Sequence, residues 1–163
     1  YEDDLGKWAA PFIMATINTK NVHRTNFLLG HPYGKDFRYD EMMLTSPGDA
    51  GKAAANAVVD MLKNPFGAKP PKPGEGPSKE ERENGHYDVV FIGEWPDGQR
   101  LHYGVKGRYD PGYGSTSRML AETGIALLTS DAKGGVGTPG AFLGEALVER
   151  LREHAALTFA VEE

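Results

Sequence analysis

Residues 86–110, HYDVVFIGEWPDGQRLHYGVKGRYD, restrict the fold more than any other stretch of the chain. Val89, Val90, Phe91 and Ile92 supply one strand, Pro96-Asp97-Gly98 a tight turn, and Leu101, Tyr103 and Val105 the returning strand. Strands joined by so short a turn run antiparallel, because a parallel pair needs a crossover of a dozen or more residues. Helical patterns lie on both sides of this hairpin. The fold expected is therefore α+β, with helices packed on one face of a mostly antiparallel sheet.

Local signals place the other elements. A helix is expected over 8–30, with Pro11 in its first turn, a break near Thr19 and Gly30 as its stop. Alternation over 37–44 puts Phe37, Tyr39, Glu41 and Met43 on one face of a strand. Residues 46–65 read as a helix with a stripe of Val58, Met61 and Leu62. The Pro/Gly-rich and charged run 66–85 holds no core, and is expected to be a long loop. Within it SKEE forms a capping box between Ser78 and Glu81, for a helical turn or two ending at Gly85. Residues 116–130 form a helix with Leu120, Thr123 and Leu127 on one side. Thr138 caps, and Pro139 opens, a helix over 141–155 that buries Phe142, Leu143, Leu147 and Leu151. A strand over 157–163 closes the chain.

One stretch imitates a nucleotide loop. DPGYGSTSRML (110–120) contains GxG and leads from a strand into a helix. A dinucleotide fingerprint works because glycines let helix N-terminal amides meet a pyrophosphate within a parallel βαβ unit. Here Ser117 replaces the third glycine, the preceding strand belongs to a hairpin, and another helix follows. The glycines are expected to turn a corner, with Gly112 or Gly114 at positive φ and a Ser or Thr among 115–117 as cap. Tyr113, between them, is a candidate cleft-facing side chain.

The chain has 163 residues, enough for one domain with a real core, and a net charge of −5 with both signs interspersed. No basic face for nucleic acid follows from that balance, and no membrane span or secretory segment is visible. The absence of cysteine excludes disulfides and thiolate chemistry, and the five histidines lack metal-ligand spacing. Asp40 and Asp110 read as turn or surface carboxylates. Polar residues crowd the otherwise apolar 8–30 segment, making Asn18, His23, Arg24 and Asn26 candidates for lining a substrate cleft. A first residue of Tyr1 rather than Met leads to the expectation that a longer polypeptide surrounds this sequence.

Four stretches in order, APFIMATINTKNVHRTNFLLG with YGKDFRYDE, then PKPGEGPS, DPGYGSTSRMLAE and GGVGTPGAFLGEALVERL, resemble the C-terminal half of saccharopine dehydrogenase-like oxidoreductases. The nearest branch contains the trans-acting enoyl reductases. The resemblance implies a substrate-side and dimerisation domain spanning 1–163, whose N-terminal Rossmann partner binds NAD(P). It also implies that this chain by itself binds no cofactor and is catalytically incomplete. A small-molecule or lipid-like substrate, a homodimer and a cytoplasmic location are the accompanying expectations. No catalytic residue carries over. The alternative is a stand-alone binding or dimerisation module without catalysis.

Overall fold

A computed structural model describes residues 1–63, 72 and 74–162. Residues 66–71 and 73 of the loop expected over 66–85 therefore lie outside the described residues. Contacts group the chain into two compact units, residues 1–73 and 74–163, where the sequence reading treats 1–163 as one domain. Helices and antiparallel sheets make up both units, as the α+β expectation requires.

In the first unit, β1 (Ala9–Pro11) pairs antiparallel with β2 (Met42–Leu44), around α1 (Ala15–Leu28) and before α2 (Gly48–Lys63). Pro11 thus ends a strand and does not open the helix. Pairing with residues 42–44 overrides its helix-start signal, and α1 begins at Ala15. Nor does α1 break near Thr19. The Thr19 hydroxyl donates to the Ala15 carbonyl at 2.6 Å and Thr25 to that of Asn21 at 2.9 Å, so the polar β-branched residues spend their hydroxyls within the helix. Gly30 does stop it. At φ 80° it donates to the Phe27 carbonyl while His31 donates to that of Asn26, the two bonds of a Schellman turn.

The strand expected over 37–44 shrinks to β2. Residues 37–41 run without a ladder partner, and their alternation aims Phe37, Tyr39 and Glu41 at α1. The Phe37 ring lies 5.6 Å from His23, and Glu41 accepts a bond from Asn18. On α2 the inward positions are Gly51 and Ala55, with Val58, Val59 and Leu62 half-buried, and Met61 points outward.

The second unit opens with α3 (Lys79–Asn84), whose capping box is complete. The Glu81 amide donates to Ser78 Oγ at 3.2 Å, and the Ser78 amide donates to Glu81 Oε2 at 2.7 Å. Then come β3 (His86–Glu94), β4 (Arg100–Arg108), α4 (Gly114–Thr129), α5 (Pro139–His154) and β5 (Leu157–Glu162). The three strands form an antiparallel sheet with β4 in the middle, and the hairpin register pairs Val89 with Val105 and Phe91 with Tyr103. Thr138 caps α5 and Pro139 begins it.

Register separates the two faces of this sheet. Asp88, Lys106 and Glu162 carry an ion-pair network on one, with Lys106 Nζ 2.9 Å from Glu162. Tyr87, Val89, Phe91, Tyr103, Val105, Leu157 and Phe159 lie on the other. The helices cover one end of this apolar face. Tyr87, lying over Gly107, shares a 2.9 Å hydrogen bond with Ser115 of α4, and Arg152 of α5 stacks on Phe159. The core between the helices joins Ala126 of α4 to Leu143 and Leu147 of α5, with Phe142 and Leu151 packed against it.

The inward face of α4 keeps Thr123, with Met119 and Ala126 expected beside it, and loses Leu120 and Leu127 to solvent. Leu120 is 71% exposed and Leu128 88%, while Ser115, Met119, Glu122, Thr123 and Ala126 turn inward. Glu122 sits inside because α5 meets it with Arg150, 2.7 Å away. An apolar count along the helix does not register such a partner.

Candidate functional site

The corner at 109–114 is built around one carboxylate. Asp110 Oδ1 accepts the amides of Gly112 and Tyr113 at 3.0 Å each, and Oδ2 accepts that of Gly114 at 2.6 Å. Neither Gly112 nor Gly114 has positive φ; Tyr109 does, at 80°. No Ser or Thr among 115–117 caps the helix either. Thr116 and Ser117 donate to the Pro111 and Gly114 carbonyls, and Asp110 supplies the acceptors that the first turn of α4 needs. These amide bonds, the one from Gly114 foremost, hold the Asp110 carboxyl below the usual aspartate range. The amides of Gly112, Tyr113 and Gly114 are thus spent on Asp110.

Beside that corner lies an open cleft of about 910 Å³. Gly74–Pro77 and α3 form one wall, and Tyr109, Tyr113, Ser117 and Arg118 form the other. The PGEGPS and GYGSTS stretches thus meet in one place. Tyr113, exposed between its two glycines, lines the cleft. Arg118 lies flat on the Tyr109 ring, 3.9 Å from its centroid, and donates to the Gly114 carbonyl at 2.8 Å. Arg82, opposite, donates to the Pro77 carbonyl at 2.6 Å. Sequence reading singled out neither arginine. They sit on different helices, and only the fold brings them to one cleft.

A smaller cavity of about 480 Å³ opens in the same unit where the glycine-rich loop 132–137 passes between α4 and α5. Leu127, Val136, Pro139 and Phe142 give it an apolar lining, with Lys133 at its edge.

The four polar candidates of α1 lie in the first unit. Asn18 Nδ2 donates to Glu41 Oε2 at 2.9 Å, and the Tyr39 hydroxyl donates to the other oxygen of the same carboxylate at 2.9 Å. Burial, then the bond to Glu41, pushes the Tyr39 phenol well above its ordinary range. His23 is exposed and stacks edge-on against Phe37, and Arg24 is exposed beside it on the helix. Asn26 is buried, with its amide spent on the main chain of the next turn: Nδ2 donates to the Gly34 carbonyl and Oδ1 accepts the Tyr33 amide. Asn18 and His23 thus gather with Tyr39 and Glu41 along α1, while Asn26 pins the turn at 33–34. Among the described residues, no three His, Asp or Glu side chains come together to hold a metal ion.

The chain is 38% identical, over 90% of its length, to a Mycobacterium tuberculosis protein whose name makes it a candidate trans-acting enoyl reductase. It is 33% identical over 95% of its length to a protein named trans-acting enoyl reductase from Mycobacterium ulcerans, and 34% identical over 90% to one of that name from Mycobacterium bovis. It spans about two fifths of the curated relatives it matches, 39% of the first and 41% of the second. No family model and no solved structure matches it.

Proposed function

We propose that this chain is the substrate-side and oligomerisation part of an NAD(P)-dependent oxidoreductase of the saccharopine dehydrogenase-like, trans-acting enoyl reductase type. The observation that carries this reading is similarity over nine tenths of the chain to proteins named enoyl reductases, of which it spans only 39%. The Asp110-filled corner supports placing the cofactor's main site on another domain, of Rossmann type, because the loop most like a phosphate grip spends three of its amides on Asp110. A nicotinamide there would supply hydride; this chain would orient the substrate. The apolar cavity at Leu127, Val136 and Phe142 suits the carbon tail of a lipid-like substrate. No described helix is long and apolar enough to cross a membrane. The test is calorimetric titration of the 163-residue chain with NADPH and NADH. No binding tighter than millimolar is expected, and a micromolar Kd would overturn the reading.

The oligomerisation role draws on the far end of the apolar sheet face. There the Trp95 ring lies over Gly93, and Val89, Phe91 and Leu101 are exposed beside Val161, which is 59% exposed. Soluble monomers rarely expose contiguous apolar patches beyond ~300–600 Å². Two copies related by a two-fold axis would cover each other's patch. Light scattering at tens of micromolar should therefore give twice 17.7 kDa. A monomer mass across that range would remove the dimer from the proposal.

A further inference from the structure

We propose that the cleft between α3 and the 109–118 corner binds a phosphoryl group through Arg82 and Arg118. Both guanidinium groups line the same cleft, in a chain whose net charge is −5. Among the described residues, neither is ion-paired with a carboxylate. Arg82 is steadied by the Pro77 carbonyl, and Arg118 by the Gly114 carbonyl and the Tyr109 ring. Each anchor uses one nitrogen or one face and leaves the remaining N–H donors of a five-donor fork for another acceptor. The anchoring also fixes the forks beforehand, which lowers the ordering cost of binding.

Two carboxylates, Glu75 and Glu83, line the same cleft, and Asp110 stands near enough for the Arg82 charge to help hold its carboxyl low. Asp110 is committed to three main-chain amides, and Glu83 faces Lys79 at 3.8 Å. Lys79 also lines the cleft, with its charge shared with Glu83. Two guanidinium forks on one cavity match the several oxygens of a phosphate better than the two of a carboxylate. Recognition here would run through side chains. That differs from a glycine-loop grip, in which main-chain amides do the work, and it requires nothing of the capped turn. Tyr113, exposed on the same wall, offers a ring face to whatever the phosphoryl group is attached to.

Pyrophosphate is the probe. Isothermal titration of the 163-residue chain in low-salt buffer should show saturable binding, weakened about tenfold or more by Arg118→Met and by Arg82→Met. Arg118→Lys should recover only part of the loss, since a lysine keeps the charge without the fork. Far-UV circular dichroism and the melting temperature identify any variant that fails to fold, and each arginine then serves as the check on the other. A tenfold gain for adenosine diphosphate over pyrophosphate would assign the phosphoryl group to a nucleotide; equal affinities would assign it to another phosphate ester. Absence of saturable pyrophosphate binding overturns the proposal, as does succinate binding equally well or affinity unchanged in both folded Met variants. A phosphoryl site here goes beyond the reading of the chain as a substrate-side part. Because NADPH itself carries a pyrophosphate, its titration is repeated with the two Met variants. NADPH binding that they abolish belongs to this cleft, and only binding that survives them counts against a cofactor site on another domain.

Discussion

Gly114→Ala is expected to lower the folding stability by ~2 kcal/mol, against ~0.5 kcal/mol or less for Gly112→Ala two residues earlier. Backbone torsion is not the reason, because neither glycine is left-handed. Space is. A Cβ on Gly114 would stand 2.8 Å from the Arg82 carbonyl oxygen, 2.8 Å from Asp110 Oδ2 and 3.0 Å from Tyr109 Cβ. The carbonyl cannot easily yield, since it already accepts the Asp110 amide at 3.1 Å. Insertion of a methyl group into such a site costs ~1–3 kcal/mol, partly offset by alanine's better helix propensity of up to ~1 kcal/mol. A Cβ on Gly112 meets only Asp110 Oδ1, at 3.1 Å, and is otherwise in solvent. Urea unfolding of the two variants provides the comparison. Equal stabilities, or a costlier change at Gly112, would show that close packing is not what requires glycine at 114.

The same corner shows where sequence reading reaches its limit. That the glycines turn the chain follows from hairpin, turn and helix signals, which are local. The cap does not, because Asp110 lies four residues before α4 and reaches forward past a proline, while three hydroxyl side chains stand closer to the helix start. The capping box at Ser78 and the start of α5 at Thr138 and Pro139 were legible for the opposite reason: each is complete within four residues. Alternation over 37–41 reported an extended segment with one side packed, and no strand pairs with it because α1 does the covering. Of the candidate site, Tyr113 could be found from its two glycine neighbours. Arg82 and Arg118 carry no local mark, and their shared cleft exists only once α3 is laid against the start of α4. Asn26 shows the converse. A polar residue on an apolar helix reads as a cleft residue, yet its amide holds a turn that begins five residues downstream of it, at His31 and beyond.

Glu122 and Arg150 offer the other large effect. Their side chains are only 17% and 28% exposed, and Glu122 Oε2 lies 2.7 Å from Arg150 Nε across the α4–α5 contact. Helical spacing places Glu122 one turn before Ala126 and Arg150 one turn after Leu147, so the pair continues the row that forms the core. Removal of one partner strands the other charge in that seam. Glu122→Leu and Arg150→Met should each destabilise the chain by ~2–3 kcal/mol, below the ~3–5 kcal/mol of a fully buried pair because some water reaches both groups. The double variant removes both charges and presents apolar side chains to Ala126 and Leu147. It should return to within ~1 kcal/mol of the parent, since a buried ion pair gains little over a well-packed apolar pair. Denaturant unfolding of all four proteins closes the cycle, with an expected coupling of ~3–6 kcal/mol, the amount by which the double variant falls short of the summed singles. Single variants that each cost less than ~0.5 kcal/mol would place the pair in the class of surface bridges. A double variant as unstable as the sum of the singles would mean that the charges act independently, and that α4 turns Glu122 inward for a reason other than Arg150.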